Sequence, residues 1–189
     1  MLGLPRRPWL ESAAVRSAFQ EKARSLHPDA GGGDADAFAR LNAAYRSVGS
    51  PASRLRLLIG EAAIPSVPPD MEFGFRVGTV TRSADALLVK LRAAANPLAR
   101  ALLVPDLATC RRDVDELLAG LEARMAAAES RLRECDAAWP EVDAAKLAGL
   151  AGECSFHDRW REQLHARLTE LRIIDGGAPP AAGARPFAD

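Results

Sequence analysis

Few residues in this 189-residue chain stand where they could do chemistry. The first group is His27-Pro28-Asp29, an imidazole and a carboxylate joined through a proline. Such a pair offers a hydrogen-bond donor and an anionic acceptor to a polar surface. Neither a cysteine nor a second histidine stands beside it to complete a nucleophilic pair or a metal site, so it reads as a contact surface and not as a catalytic dyad. The cysteines, Cys110, Cys135 and Cys154, are far apart, with no Cys-x-x-Cys pair to suggest a zinc knuckle or a disulfide framework. Free thiols fit a reducing compartment. Cys110 and Cys135 lie on or beside an apolar helical seam, which favours buried structural thiols over reactive ones. His157 lies on a similar seam, where a packed histidine is the stronger reading and a metal ligand the weaker. No catalytic residue, metal or cofactor is expected.

The bulk numbers narrow the class. Lys+Arg and Asp+Glu are both 25, and a nucleic-acid binder would show a basic excess, so nucleic acid is not an expected partner. The start, MLGLPRRPW, has no apolar run of signal-peptide length, and no stretch approaches the roughly 20 apolar residues of a membrane span. A cytoplasmic protein without a membrane partner is expected. Aromatics are 5% of residues, alanine and leucine are abundant, and β-branched residues are sparse, which favours an all-α fold.

The elements that must position the tripeptide follow from periodicity. Residues 10–26 read as a helix with Ser12 as N-cap and Val15, Ala18, Phe19, Ala23 and Leu26 on one face. Arg16, Lys22 and Arg24 stand on its other faces, with Glu21 among them. Pro28 ends the helix near His27, and Gly31-Gly32-Gly33 follow as a turn. Asp34 can cap a returning helix with the stripe Phe38, Leu41, Ala44, Tyr45 and Val48. Gly49-Ser50-Pro51 stops it, and Pro51 to Ile59 makes a short closing helix. A linker is expected over 61–81, where Pro65, Pro68 and Pro69 cannot continue a helix. Three helical stretches fill 82–174. Asn96-Pro97 should break the first, and Pro105 should open the second. That second helix carries Leu107, Val114, Leu121, Ala128 and Cys135 at a spacing of seven, a seam for a partner helix. Trp139-Pro140 makes the next turn, and residues 175–189 read as a disordered tail.

A basic helix, a His27-Pro28-Asp29 turn and a returning helix ending in Leu41-Asn42-Ala43-Ala44-Tyr45 resemble a J domain, the module by which co-chaperones switch on the ATPase of a DnaK-type chaperone. The resemblance implies that His27, Pro28 and Asp29 contact the chaperone and that Arg16, Lys22 and Arg24 dock on its acidic surface. Lys22 stands where the family often has a core leucine, so its stem can equally snorkel along the core. Asn42 is expected to hydrogen-bond locally. The phrase Leu41-Asn42-Ala43-Ala44-Tyr45, then Ser50-Pro51 and Arg54, then Leu57-Leu58, is similar to the HscB/Jac family, co-chaperones of iron–sulfur cluster assembly. Its layout implies a J domain over 1–60 and a three-helix antiparallel bundle over 82–174.

In J domains a short first helix precedes a phrase like Leu2-Gly3-Leu4-Pro5, which here begins at once. The expectation is that the native protein carries residues before Met1, and that without them Phe19, Leu41 and Tyr45 are under-covered. Toward the C-terminus, Ser155 to Trp160 and the run Ala86-Leu87-Leu88 with Leu91 are similar to the family's scaffold-binding stretches. Leu87, Leu88, Leu91 and Phe156 are therefore the client-binding candidates, against the plainer reading that all four are core. The expected function is a co-chaperone, not an enzyme, that stimulates a DnaK/HscA-type (heat shock protein 70) ATPase and presents a client, an iron–sulfur scaffold by resemblance. The alternatives are a J protein with another client and a helical scaffold protein whose J domain is inactive.

Overall fold

The computed structural model describes residues 2–26, 34–60 and 70–176. Among these there are six helices and no strand: α1 (Ser12–Leu26), α2 (Ala35–Gly49), α3 (Pro51–Ile59), α4 (Met71–Ala93), α5 (Pro97–Ala137) and α6 (Ala144–Ile174). The chain divides into two compact units, one of Met1–Pro69 with Met125–Phe156, the other of Asp70–Arg124 with His157–Asp189. The expected linker residues 61–69 and most of the expected tail lie outside the described residues.

In the first unit, residues 2–11 precede the helices as a non-helical arm. Helix α1 opens at Ser12, inside the expected span of 10–26, and Ser12 is its first helical residue and not its cap; the Glu11 carbonyl accepts from the Val15 N–H at 3.1 Å. Asp34 caps α2 as its position suggests, Oδ1 accepting from the N–H groups of Asp36 and Ala37 at 2.9 and 3.0 Å. Between the two helices lie buried Phe19 and Leu41, with Ala23, Leu26, Ala44, Tyr45 and Val48 at the margins. The rings of Phe19 and Tyr45 are 4.5 Å apart. The expected lack of cover is not seen at Phe19 and Leu41: Leu2 is buried against this cluster and Leu4 packs beside it, so the two keep only 6% and 2% of their surface, while Tyr45 is half-buried. Two leucines of an extended arm thus supply the apolar cover that the sequence reading assigned to a missing helix.

Ser50 caps α3, its hydroxyl accepting from the Ser53 N–H at 3.2 Å, with Pro51 at the first helical position. Helix α3 buries Ala52 and Leu55 in a cluster with Ala128, Leu132 and Cys135 of α5 and Leu147, Leu150, Ala151 and Cys154 of α6. The arm is fixed to the same unit. Arg7 pairs with Asp136 at 2.8 Å, the Trp9 N–H donates to the same carboxylate, and the Arg133 guanidinium lies 4.6 Å from the Trp9 ring centre.

The second unit begins with a correction. Residues 71–81, expected in the linker, are the first turns of α4. Asp70 caps them by accepting from the Phe73 N–H at 2.8 Å, and Phe73 and Val77 are buried. Packing here outweighs the poor helix propensity of a stretch with two glycines and several β-branched residues. Helix α4 ends at Ala93, as Asn96-Pro97 foretells. Helix α5 then starts at Pro97, not at Pro105, which lies inside it. Asn96 is the reason: its side chain accepts from the Ala99 N–H at 2.8 Å, and Pro97 takes the first helical position. Pro105 leaves the Ala101 carbonyl without its helical donor, but both residues are exposed and water can serve instead. The expected seam of seven-residue spacing is buried throughout, from Leu107 at 4% to Cys135 at 1% exposure.

Candidate functional site

The α1 face is the part of the expected chaperone contact that the structure describes. His27, Pro28 and Asp29 lie outside the described residues. Arg16 and Arg24 are exposed, and neither makes an ion pair among the described residues. At about 100° per residue they stand on the free side of α1, with Gln20 between them. Arg24 also complements the negative end of the helix, being in its last turn. Lys22 is half-buried. Helical geometry puts it at the edge of the stripe that Val15 and Phe19 bury, a position where a lysine stem can cover apolar surface with its ammonium in water. The three bases are therefore not equivalent: Arg16 and Arg24 are exposed, and Lys22 is half-buried.

Asn42 is half-buried, and its Oδ1 accepts no hydrogen bond among the described residues, so the expected local bond of that oxygen is not found. Phe38 is half-buried, and Tyr45 likewise.

The client candidates fall differently. Leu87, Leu88 and Leu91 are buried, at 6%, 2% and 6% exposure, in one stripe with Phe73, Val77 and Ala84. Their apolar surface is used by the fold itself, so the plainer reading holds for them and they present no accessible patch. Phe156 is half-buried and belongs to the other compact unit. Lys90 and Arg92 are exposed on the same helix, Arg92 pairing with Glu170 at 2.8 Å. Several large apolar side chains are exposed, among them Phe75 and Val89 on α4 and Leu98, Leu102 and Val104 on α5. Phe75 and Val89 are two heptads apart, a signal hidden because the stronger stripe of the same helix faces inward.

Arg54 was legible only as a letter of the Ser-Pro-x-x-Arg phrase. In the structure it is a joint. It is 6% exposed, donating from Nε to the Pro8 carbonyl and from Nη1 to the Val48 carbonyl, each at 3.0 Å. One guanidinium so fixes the arm, the last turn of α2 and α3 to one another.

The side chains most able to do covalent or metal chemistry, the cysteines and His157, are buried. All three cysteines are buried, and burial, with Asp113 nearby, pushes the Cys110 thiol above its ordinary pKa. His157 is 2% exposed, its ring 6.0 Å from that of Trp160. No group of three His, Cys, Asp or Glu side chains among the described residues could hold a metal ion. No helix among them is long and apolar enough to cross a membrane.

No family model, curated protein or solved structure matches this chain.

Proposed function

We propose that the chain is a J-type co-chaperone that stimulates the ATPase of a DnaK-type chaperone through α1 and the His27-Pro28-Asp29 connection. On this reading α1, α2 and α3 form a J domain and α4 to α6 an antiparallel bundle of the HscB layout. The observation that carries the proposal is the pairing of α1 with α2 through Phe19, Leu41 and Tyr45, with Arg16 and Arg24 exposed on α1 and uncommitted to ion pairs among the described residues. A helix pair of this kind holds its connection at one end and its basic side chains along one side. Both can then meet one acidic surface, and the charges there speed encounter as well as hold the complex. The role is one of contact, and no bond-making step falls to this chain.

The test uses the purified chain and the DnaK-type chaperones of its own cell. Asp29→Asn is expected to abolish ATPase stimulation and leave helical circular dichroism unchanged, since an interface carboxylate can dominate docking. Arg16→Glu with Arg24→Glu should weaken stimulation, and more so at low salt. Absence of stimulation by the wild-type chain with every such chaperone would reject the proposal.

A second reading changes the client alone. The resemblance suggests an iron–sulfur scaffold, yet the leucines that carried that suggestion are buried. That burial favours a J protein whose client is held elsewhere. Titration of the intact chain with an iron–sulfur scaffold protein separates the two, and a lack of binding selects the second.

A further inference from the structure

Arg54 is a buried charge that makes no ion pair among the described residues. Its guanidinium donates from Nε and Nη1 to the neutral carbonyls of Pro8 and Val48. The field of Asp136 reaches it, but that carboxylate is bound by Arg7 and by the Trp9 N–H. Burial lowers the guanidinium's pKa from its ordinary value, while Cys154 and Asp136 oppose the shift. Buried cations are costly unless an anion or a full set of acceptors meets them.

Beside this charge is a cavity of about 200 Å³. Arg54 forms part of its wall, and the apolar wall includes Leu2, Leu4, Leu10, Val48 and Leu58, with half-exposed Leu57. Arg6 lines it too, an exposed side chain that donates to the Leu57 carbonyl over a long contact of 3.4 Å. The walls are thus hydrocarbon, and the charged groups among them are all cationic.

We propose that this cavity binds a short aliphatic carboxylate, its hydrocarbon body among the leucines and its carboxylate drawn to Arg54 and Arg6. The anion would supply a counter-charge, and a planar guanidinium suits a carboxylate. Size limits the body. A cavity of about 150 Å³ takes benzene, so this one suits a body of that bulk or slightly more and excludes long acyl chains. A small inorganic anion would leave the leucine walls unfilled, and a neutral hydrocarbon would leave the charge unmet. The inference stands apart from the co-chaperone reading, because Arg16, Lys22 and Arg24 do not line the cavity.

The test is a titration of the full chain with hexanoate, followed through leucine and valine methyl signals by NMR. Acetate supplies the charge without the body, and hexan-1-ol the body without the charge. Hexanoate is expected to give saturable shifts in the millimolar range, with both controls at least about tenfold weaker. Arg54→Gln should remove the difference between hexanoate and hexan-1-ol. Because that variant also loses two structural hydrogen bonds, Leu57→Asp is the second arm. Leu57 is 54% exposed on the cavity wall, so a carboxylate there repels the ligand with little effect on folding. It should weaken hexanoate by about tenfold or more. No saturable shift with hexanoate, equal binding of hexan-1-ol by the wild type, or undiminished binding by Leu57→Asp would each overturn the proposal.

Discussion

Among the described residues the buried polar side chains are Arg54 in one compact unit and His157 in the other, and they sit on elements of different kinds. Arg54 is held by carbonyls of Pro8 and Val48, from two separate pieces of chain. His157 sits in a helical stripe with Trp160, Leu164, Leu168 and Leu171, all buried. The first unit is assembled from an arm, three short helices and the ends of two long ones. Short pieces share little continuous surface, so a polar joint fixes their register. The second unit is assembled from long helical stretches, whose stripes fix register by repetition. Its charges stay outside, as in Arg92 with Glu170 and Arg111 with Asp175.

The largest effects should be the same in both units. Leu55 and Leu164 are each fully buried, one per unit. Leu55→Ala and Leu164→Ala should each cost about 3 kcal/mol in urea denaturation. Unequal losses would mean that the apolar cores, and not the polar joints, distinguish the units.

Next comes the joint. Arg54→Gln should cost about 2 kcal/mol, since two carbonyls lose their donors in a buried setting. A loss below about 0.5 kcal/mol, typical of surface sites, would remove the contrast between the units.

A smaller effect is expected at the start of α4. Asp70 accepts from the Phe73 N–H and pairs with Arg124 at 2.8 Å, and the two together hold its carboxyl below the usual range. Asp70→Ala should cost about 1 kcal/mol at neutral pH through the lost cap. The folded-state pKa is depressed, so this stability is present above the unfolded carboxylate value and is lost as pH falls through the folded one. The gap between wild type and variant should therefore close progressively below about pH 4. A gap that stays constant to lower pH would assign the effect to packing.

The smallest effect is at the rim. Arg92→Ala should change stability by less than about 0.5 kcal/mol, because the Arg92–Glu170 pair is exposed to solvent and screened. A larger loss would show that surface pairs carry part of the second unit's register.

Legibility in the sequence follows the same division. The line from Leu107 to Cys135 was readable because its spacing of seven needs no knowledge of its partner. Arg54 was not, because its acceptors stand 46 and 6 positions away and no local pattern points to them. The start of α4 was hidden by its composition, and Gly74 shows why that composition is there. A Cβ at Gly74 would come within 3.0 Å of the Trp160 ring, so the glycine permits the close approach of that side chain. At the candidate site, Arg16 and Arg24 were placed rightly on the free side of α1, whereas Leu87, Leu88 and Leu91 were assigned to a partner. An apolar stripe on one helix reads the same whether its own fold or another protein covers it.

The first unit draws Ala128, Leu132 and Cys135 from one long helix and Leu147, Leu150 and Cys154 from the next. During synthesis, then, α3 emerges before any of these residues of α5 and α6, and the set that packs with Leu55 is complete only after residue 154 has been added. Helix α3 therefore completes its packing late, after α4, α5 and about the first third of α6 have been made.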